Sequence, residues 1–329
     1  RLVHTLPKQP SAIPYVTSYY QKKIGFCMSH NNVEKIKKEY DSQDIFKVVI
    51  KSNFKKNGHL HYGELLLKGK SKQEILISTY LCHPSMANNE LSGPIVSMSL
   101  IDYFKRKKNL AKSIRFLFIP ETIGSIVYLK KNLDILKKNV IGGYNLTCIG
   151  DDLRHSCMLT KYKNSPSDKA LFRAYKKLRI KFFEHSFLER GSDERQYNSP
   201  GVDLPISSIF RSKYGTYPEY HTSLDNFKLV TLKGLQGGFK VAKTAIEILL
   251  NKKIPQNLII CEPQMGKRGL YSNLSSKINN SKITKHYMSF LQYADGKNDL
   301  EQISKLIKIN YKKVLKINSI LLKFNLIRN

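Results

Sequence analysis

The chain has 329 residues, of which 41% are hydrophobic, and a formal net charge of +31. This length allows one large hydrophobic core with a small appended domain. It excludes the class of very small proteins that need disulfides or metals in order to fold. Five scattered cysteines without a CxxC pair argue against a disulfide framework, and no apolar run is long enough to span a membrane. The start does not resemble a signal peptide, so a cytoplasmic protein without membrane contact is expected. The first residue is Arg1 rather than Met, which suggests a fragment or a processed product.

The positive charge has two explanations. A strongly basic surface attracts nucleic acid, anionic lipid or acidic substrates. The lysines, however, are spread along the whole chain, as expected for a protein that is generally rich in Lys, Asn and Ile. We favour the second explanation, so nucleic acid ranks behind a small substrate as the expected partner, and an oligomer stays open.

The first 70 residues have the pattern of part of a small β domain. Two strands are predicted, at residues 46–50 and 60–67, and Lys55-Lys-Asn-Gly58 between them predicts a hairpin turn. The second strand leads into the next segment as an outer strand.

Strands and helices alternate from residue 74 to residue 250, which predicts a three-layer α/β domain with a mixed sheet over residues 71–255. The predicted strands are 75–81, 114–119, 140–149 and 204–210. The predicted helices are 94–107, 123–131, 168–178 and 232–250.

Three short helices are predicted near the end of the chain. The first is predicted to begin at Phe290 and Leu291 with Tyr293, and the other two span residues 299–309 and 311–324. A trio this compact is typical of a winged-helix module, here residues 265–329. The third helix carries Lys312, Lys313 and Lys316, where a DNA-reading helix would be basic. A helical cap for packing or dimerisation is an equally good interpretation of the helix pattern.

Polar residues follow several predicted strands and can meet at one rim of the sheet. They are His83 after the strand 75–81, Glu121 after the strand 114–119, Asp151 after the strand 140–149, Asp193 in Gly-Ser-Asp, and Tyr220, His221 and Asp225 in one segment. Ligands of α/β sheets bind at the carboxyl ends of the strands.

Two imidazoles and several carboxylates at one rim are the ligands of a zinc site that keeps a position for water. Glu121 could take the proton from that water, and Asp225, four residues after His221, could orient the His221 ring. Each residue alone has an ordinary structural explanation: a histidine at a strand end is usually a hydrogen-bonded core residue, and Asp151 could cap a turn. The convergence of several such residues favours the functional interpretation.

The order of these motifs resembles the two-zinc aminopeptidase family that includes bacterial secreted aminopeptidases and glutamate carboxypeptidase. More closely, Cys82-His-Pro-Ser-Met-Ala-Asn, Pro120-Glu-Thr-Ile-Gly-Ser, Glu189-Arg-Gly-Ser-Asp-Glu-Arg-Gln-Tyr and Pro218-Glu-Tyr-His-Thr-Ser are similar to a bacterial group that combines an aminopeptidase-like domain, an inserted β domain and a C-terminal winged helix. Genes of that group often lie in surface-polysaccharide loci, and the resemblance implies that the start of the peptidase domain is missing here.

The resemblance assigns His83 and His221 to the two metal histidines and Glu121 to the general base. It places Asp193 and Tyr220 near the substrate or behind the ligands. The three other family positions, which carry carboxylate ligands, are occupied by Asn89, Thr122 and Thr147. Two Zn²⁺ ions need more negative charge than this set supplies, so one ion or none is expected, on His83 and His221 with help from Glu121, Asn89 or Asp151. Glu90 could replace Asn89 if its side chain pointed the same way.

Three hypotheses follow. The chain is a zinc-dependent hydrolase of an amide or peptide bond in a peptide, amino acid or sugar derivative; or it is a degenerate relative that binds such a ligand without hydrolysis; or it is a DNA-associated regulator. The first two rank nearly level, and the third ranks well behind.

Overall fold

The structure is a computed structural model that describes residues 2–17, 21–53, 55–270, 279–296 and 298–329. The chain divides into two compact units, Arg1–Leu250 and Asn251–Asn329. Each unit is described by itself.

The described residues before the main sheet form two short strands and one helix. These are β1 (Val3–His4), β2 (Phe26–Cys27), which pairs with β1 in parallel, and α1 (His30–Glu39). The strand predicted at residues 46–50 is wrong: no strand forms there, and Phe46, Val49 and Ile50 are exposed. An apolar run forms a stable strand when it has a neighbouring strand and a surface to bury against, and this run has neither. The predicted hairpin is therefore not formed, although a turn lies at residues 56 and 57.

A seven-stranded mixed sheet forms the centre of the first unit, in the order β3-β5-β4-β6-β9-β7-β8. Its strands are β3 (Gly63–Leu67), β4 (Ser71–Tyr80), β5 (Lys112–Ile119), β6 (Val140–Leu146), β7 (Ser156–Met158), β8 (Phe183–His185) and β9 (Ile206–Phe210). The strands β5, β4, β6 and β9 are parallel, whereas β3 runs antiparallel to β5 and β7 antiparallel to β9. Residues 63–67, which were predicted to belong to a small β domain, pair with β5 in the main sheet.

Helices cover both faces of this sheet, which confirms the predicted three-layer α/β architecture. The helices of the first unit after α1 are α2 (Ser92–Lys105), α3 (Ile123–Asn139), α4 (Pro166–Leu178), α5 (Glu194–Tyr197) and α6 (Leu232–Leu250). Alternate residues of β4 face opposite layers: Ile75 and Ile77 pack with α2, α4 and α6, while Leu76 packs with α3 and α5. A central parallel strand buried on both faces reads as a continuous apolar run, which is why its prediction succeeded.

Within its described residues, 251–270, 279–296 and 298–329, the second unit contains three α-helices and a two-stranded antiparallel sheet. They are α7 (Asn279–Tyr293), α8 (Leu300–Leu306), α9 (Tyr311–Lys323), β10 (Gln256–Asn257) and β11 (Ile327–Arg328). Phe290, Ile303 and Val314 bring the three helices into one core. Phe290 and Leu291 lie at the end of α7, so the prediction that they begin a helix is wrong; the segment before them is too polar to show the helical period. In the described part of the chain, no helix is long and apolar enough to cross a membrane.

Candidate functional site

His83 lies just beyond the end of β4 and is held by Glu90. The backbone N–H groups of Cys82 and His83 donate to Oε1 and Oε2 of Glu90 at 2.6 and 2.9 Å. Nδ1 of the His83 ring lies 3.3 Å from Oε2 of the same carboxylate, and Nε2 lies 3.7 Å from Oε2 of Glu121. Glu90 therefore fixes the ring from behind and directs Nε2 toward Glu121. It does not take the place of Asn89, because its carboxylate is engaged on the other side of the ring.

His221 meets His83 from a distant part of the sequence. The centroids of the two rings are 5.3 Å apart. His221 has a left-handed backbone, with φ of 55°, and its ring stacks on Tyr220 at 4.0 Å. Tyr15 packs against both imidazoles, at 5.6 Å from His83 and 5.2 Å from His221. The His83 ring thus lies close to both the His221 ring and the Glu121 carboxylate, and a metal ion shared by the three side chains stays a prediction.

The two imidazoles differ in their electrostatic surroundings. Burial opposes a proton on His83, but hydrogen bonds with Cys82 and Glu90 outweigh burial and raise the pKa of His83 to about 10. Burial and the neighbouring charge of His83 lower the pKa of His221 to about 4. His221 is therefore a neutral imidazole at pH 7, which is the form that binds a metal, whereas His83 keeps a proton at pH 7 that a metal ion would have to displace.

Glu121 begins the turn between β5 and α3. Its backbone N–H donates to Sγ of Cys82 at 3.2 Å. Burial raises the pKa of the Glu121 carboxyl, and a hydrogen bond from Ser192 and the charge of His83 oppose this shift. The turn is held by Asp193, whose Oδ1 accepts from the Thr122 backbone at 2.8 Å and from the Ser125 hydroxyl at 2.7 Å.

Two predicted site carboxylates are used elsewhere. Asp225 accepts from the backbone N–H groups of Asn88 and Asn89, at 2.6 and 2.9 Å. It therefore holds the π-helical turn Ala87–Leu91, and its carboxylate is engaged there rather than on the His221 ring, which corrects the expected orienting role. Asp151 is fully buried and accepts from the Asn88 amide and from both the backbone and the hydroxyl of Ser212. Because both of its oxygens accept these hydrogen bonds, the Asp151 carboxylate supports the local fold and is not free to bind a metal.

The three family ligand positions that lack a carboxylate make hydrogen bonds within the protein. Nδ2 of Asn89 donates to the Tyr80 hydroxyl at 2.6 Å, and the Thr147 hydroxyl donates to the same oxygen. The hydroxyl of Thr122 accepts from Nη2 of Arg195 at 2.6 Å. Tyr80, Arg195 and Tyr15 were not singled out from the sequence, because nothing in the local pattern marks them; Tyr80 reads as one more apolar residue of a buried strand.

The donor set fits one zinc ion. Nε2 of His221 and Oδ1 of Asn89 are buried and have no hydrogen-bond partner, and Nε2 of His83 faces the Glu121 carboxylate. Two imidazole nitrogens and a nearby carboxylate are groups that zinc accepts, and the Asn89 amide oxygen is a neutral and weaker donor beside them. A second ion does not fit, because residues 89, 122 and 147 contribute no negative charge.

Cys82, His83 and Glu90 form a cluster of possible metal ligands. Among the described residues, it is the group of three His, Cys, Asp or Glu side chains whose potential ligand atoms all lie within 4.8 Å of one another. Its carboxylate already accepts two backbone hydrogen bonds, and the imidazole nitrogen in the cluster is Nδ1. We interpret this cluster as the support of the His83 ring.

Comparison with known families divides the chain after residue 252, close to the structural division after Leu250. Residues 4–252 match the family described as a domain of unknown function, DUF4910, and residues 253–329 match a winged helix-turn-helix family.

Three relatives illustrate these matches. A protein of Clostridium acetobutylicum described as a polysaccharide biosynthesis protein with an aminopeptidase-like domain is 37% identical over 92% of this chain and 68% of its own length. The crystal structure of a candidate peptidase from Clostridium acetobutylicum is 34% identical, with a TM-score of 0.74 over 99% of this chain and 72% of that chain. A zinc aminopeptidase from Bacillus subtilis shares the fold, at 17% identity and a TM-score of 0.50 over 56% of this chain and 49% of that chain.

Proposed function

The chain belongs to the DUF4910 family, with an aminopeptidase-like fold followed by a winged helix, and we propose that it is a metal-dependent hydrolase of an amide or peptide bond. The observation that carries this proposal is the meeting of His83, His221 and Glu121 beyond the carboxyl ends of β4 and β5. These side chains come from segments about 40 and 100 residues apart in the sequence, yet the His83 ring contacts both the His221 ring and the Glu121 carboxylate.

One zinc ion is the metal that these residues would hold. Nε2 of His83, Nε2 of His221 and Oδ1 of Asn89 are the atoms available to it. When bound, zinc supplies Lewis acidity, which polarises a carbonyl group and makes a water molecule more acidic.

The protein's own side chains would transfer the proton and hold the two histidine rings in place. Glu121 is the general base that accepts the proton of the attacking water, since its carboxylate lies 3.7 Å from Nε2 of His83 and faces the same space. Glu90 fixes the His83 ring, and Tyr220 fixes the His221 ring by stacking. Tyr15 packs against both rings.

The substrate we propose is an amide in a peptide, an amino-acid conjugate or an amino-sugar derivative. The description of the Clostridium relative, a polysaccharide biosynthesis protein, favours the last of these. The five cysteines are all unpaired, which suits a reducing cytoplasmic setting.

Replacing the proposed base tests this function. Glu121→Gln keeps the size of the side chain and removes its basicity, so hydrolysis should fall by about 10²-fold or more while the fold is retained. Hydrolysis would be followed with a panel of aminoacyl anilides and N-acylated amino sugars, on protein loaded with zinc. Glu39→Gln, on the exposed face of α1, is the matched control and should keep full activity.

Zinc content provides the independent measurement. Protein equilibrated with zinc and then desalted should retain about one ion per chain, and His221→Ala should abolish retention. A wild-type chain that retains no zinc, hydrolyses no member of the panel and is stabilised by a small ligand regardless of chelator would favour the non-catalytic alternative instead.

A further inference from the structure

Two side chains from different elements meet at the hydroxyl group of Tyr80. Tyr80 is the last residue of β4 and is buried. The Asn89 amide, from the π-helical turn before α2, donates to its oxygen at 2.6 Å. The Thr147 hydroxyl, just after β6, donates to the same oxygen. One phenolic oxygen thus serves as the common partner of two polar groups on separate segments.

The resemblance to the two-zinc aminopeptidases assigns carboxylate ligands to the positions of residues 89 and 147. Side chains that converge on a single atom mark the point that an ion shared by them would occupy. We propose that the Tyr80 hydroxyl stands in the place of a second metal ion and keeps the site to one ion. This inference rests on the proposed function for the location of the first ion.

The choice of an amide at residue 89 follows from this arrangement. An ionised aspartate has no proton to donate, whereas the Asn89 amide donates through Nδ2 to Tyr80. The same amide leaves Oδ1 buried without a hydrogen-bond partner. One end of the side chain therefore satisfies the phenol, and the other end stays available to the single ion.

A positively charged side chain lies beside residue 122, the third position to which the resemblance assigns a carboxylate. Nη2 of Arg195 donates to the Thr122 hydroxyl at 2.6 Å. A cation beside residue 122 disfavours a second metal cation there by electrostatic repulsion.

The test compares two variants that differ only in the phenol. Asn89→Asp/Thr147→Asp restores the carboxylates and retains Tyr80, whereas Tyr80→Phe/Asn89→Asp/Thr147→Asp also removes the hydroxyl. Zinc per chain would be measured by elemental mass spectrometry after equilibration at one buffered free zinc concentration. The triple variant should bind about one ion more than the double variant, which should match the wild type.

Three results would overturn the inference: the double variant gains the ion although Tyr80 is present, neither variant gains an ion, or the wild type itself binds two. If the wild type bound no zinc, the proposed function would be refuted. The difference in bound zinc between the double and the triple variant would still test the role of the Tyr80 hydroxyl. Circular dichroism would verify folding. If the triple variant does not fold, Asn89→Asp and Tyr80→Phe/Asn89→Asp replace the pair, and only the second should gain an ion.

Discussion

Oε2 of Glu90 lies 3.3 Å from Nδ1 of His83 and also accepts the backbone N–H of the same histidine at 2.9 Å. One carboxylate oxygen therefore fixes both the main chain and the ring of His83. A carboxylate that binds the far nitrogen of a metal-binding imidazole orients the ring and strengthens its basicity.

Glu90→Gln is expected to weaken zinc binding by about 10- to 100-fold, because a carboxamide has one acceptor oxygen for the two backbone donors and the imidazole. Competition with a chromophoric chelator would measure the affinity. Glu184→Gln, at the edge of the sheet, should leave the affinity unchanged. An unaltered zinc affinity in Glu90→Gln would mean that Glu90 only caps the loop.

Gly93, in the Ser-Gly motif, is required by the close packing of α2 against the sheet. A Cβ atom added there would overlap the Thr79 hydroxyl and the backbone carbonyl of Leu146. Because backbone cannot move aside cheaply, Gly93→Ala should destabilise the first unit by about 3 kcal/mol or more. Urea denaturation followed by circular dichroism would measure the loss.

Gly58→Ala is the matched control for that substitution. A Cβ atom at residue 58 would have the Lys55 carbonyl oxygen at 3.7 Å, an ordinary contact distance. Its effect on the free energy of unfolding should stay within about 0.5 kcal/mol. Equal effects of the two substitutions would contradict the packing explanation for the motif glycine.

His155 is expected to make the first unit sensitive to mild acid. Burial and the neighbouring Arg211 guanidinium lower the pKa of His155 from 6.5 to about 4. The unfolded chain therefore takes up this proton at a higher pH than the folded chain does. The stability contribution is complete above about pH 6.5 and is lost as the pH falls toward 4. Because the ring is only partly buried, solvent screening reduces this loss to about 1–2 kcal/mol.

His155→Gln keeps an acceptor for Arg211 and removes the titration, so the free energy of unfolding should decline less steeply between pH 6.5 and 4. Urea denaturation at a series of pH values would measure the slope. His59→Gln, at an exposed position, should leave the slope as in the wild type. A steep decline that persists in His155→Gln would assign the acid sensitivity to other groups.

Lys312, Lys313 and Lys316 are exposed on α9 and take no part in the proposed chemistry. Replacing all three with alanine is expected to leave zinc content and hydrolysis unchanged. Fluorescence anisotropy with duplex DNA at several salt concentrations would examine the remaining hypothesis. If α9 contacts phosphates, the triple variant should flatten the dependence of log affinity on log salt by about 0.9 for each lost contact.

The sequence by itself determined the architecture, because backbone periodicity is a local property. Buried parallel strands such as β4 appear as unbroken apolar runs, and helices such as α6 show a 3.6-residue period, so the three-layer order and the helical C-terminal unit followed from pattern. The motifs also identified His83, His221 and Glu121, because each stands at a strand end or in a recognisable turn.

Only the tertiary structure decided where the remaining polar side chains point. Asp225 binds the turn at residues 87–91 and Asp151 binds Ser212, although their spacing in the sequence suited a metal site. The roles proposed for Tyr80 and Glu90 follow from their hydrogen bonds to residues of other segments, which the sequence does not show. Side-chain direction in a π-helical turn or at a left-handed residue such as His221 depends on the whole surrounding packing, and a linear pattern does not encode it locally.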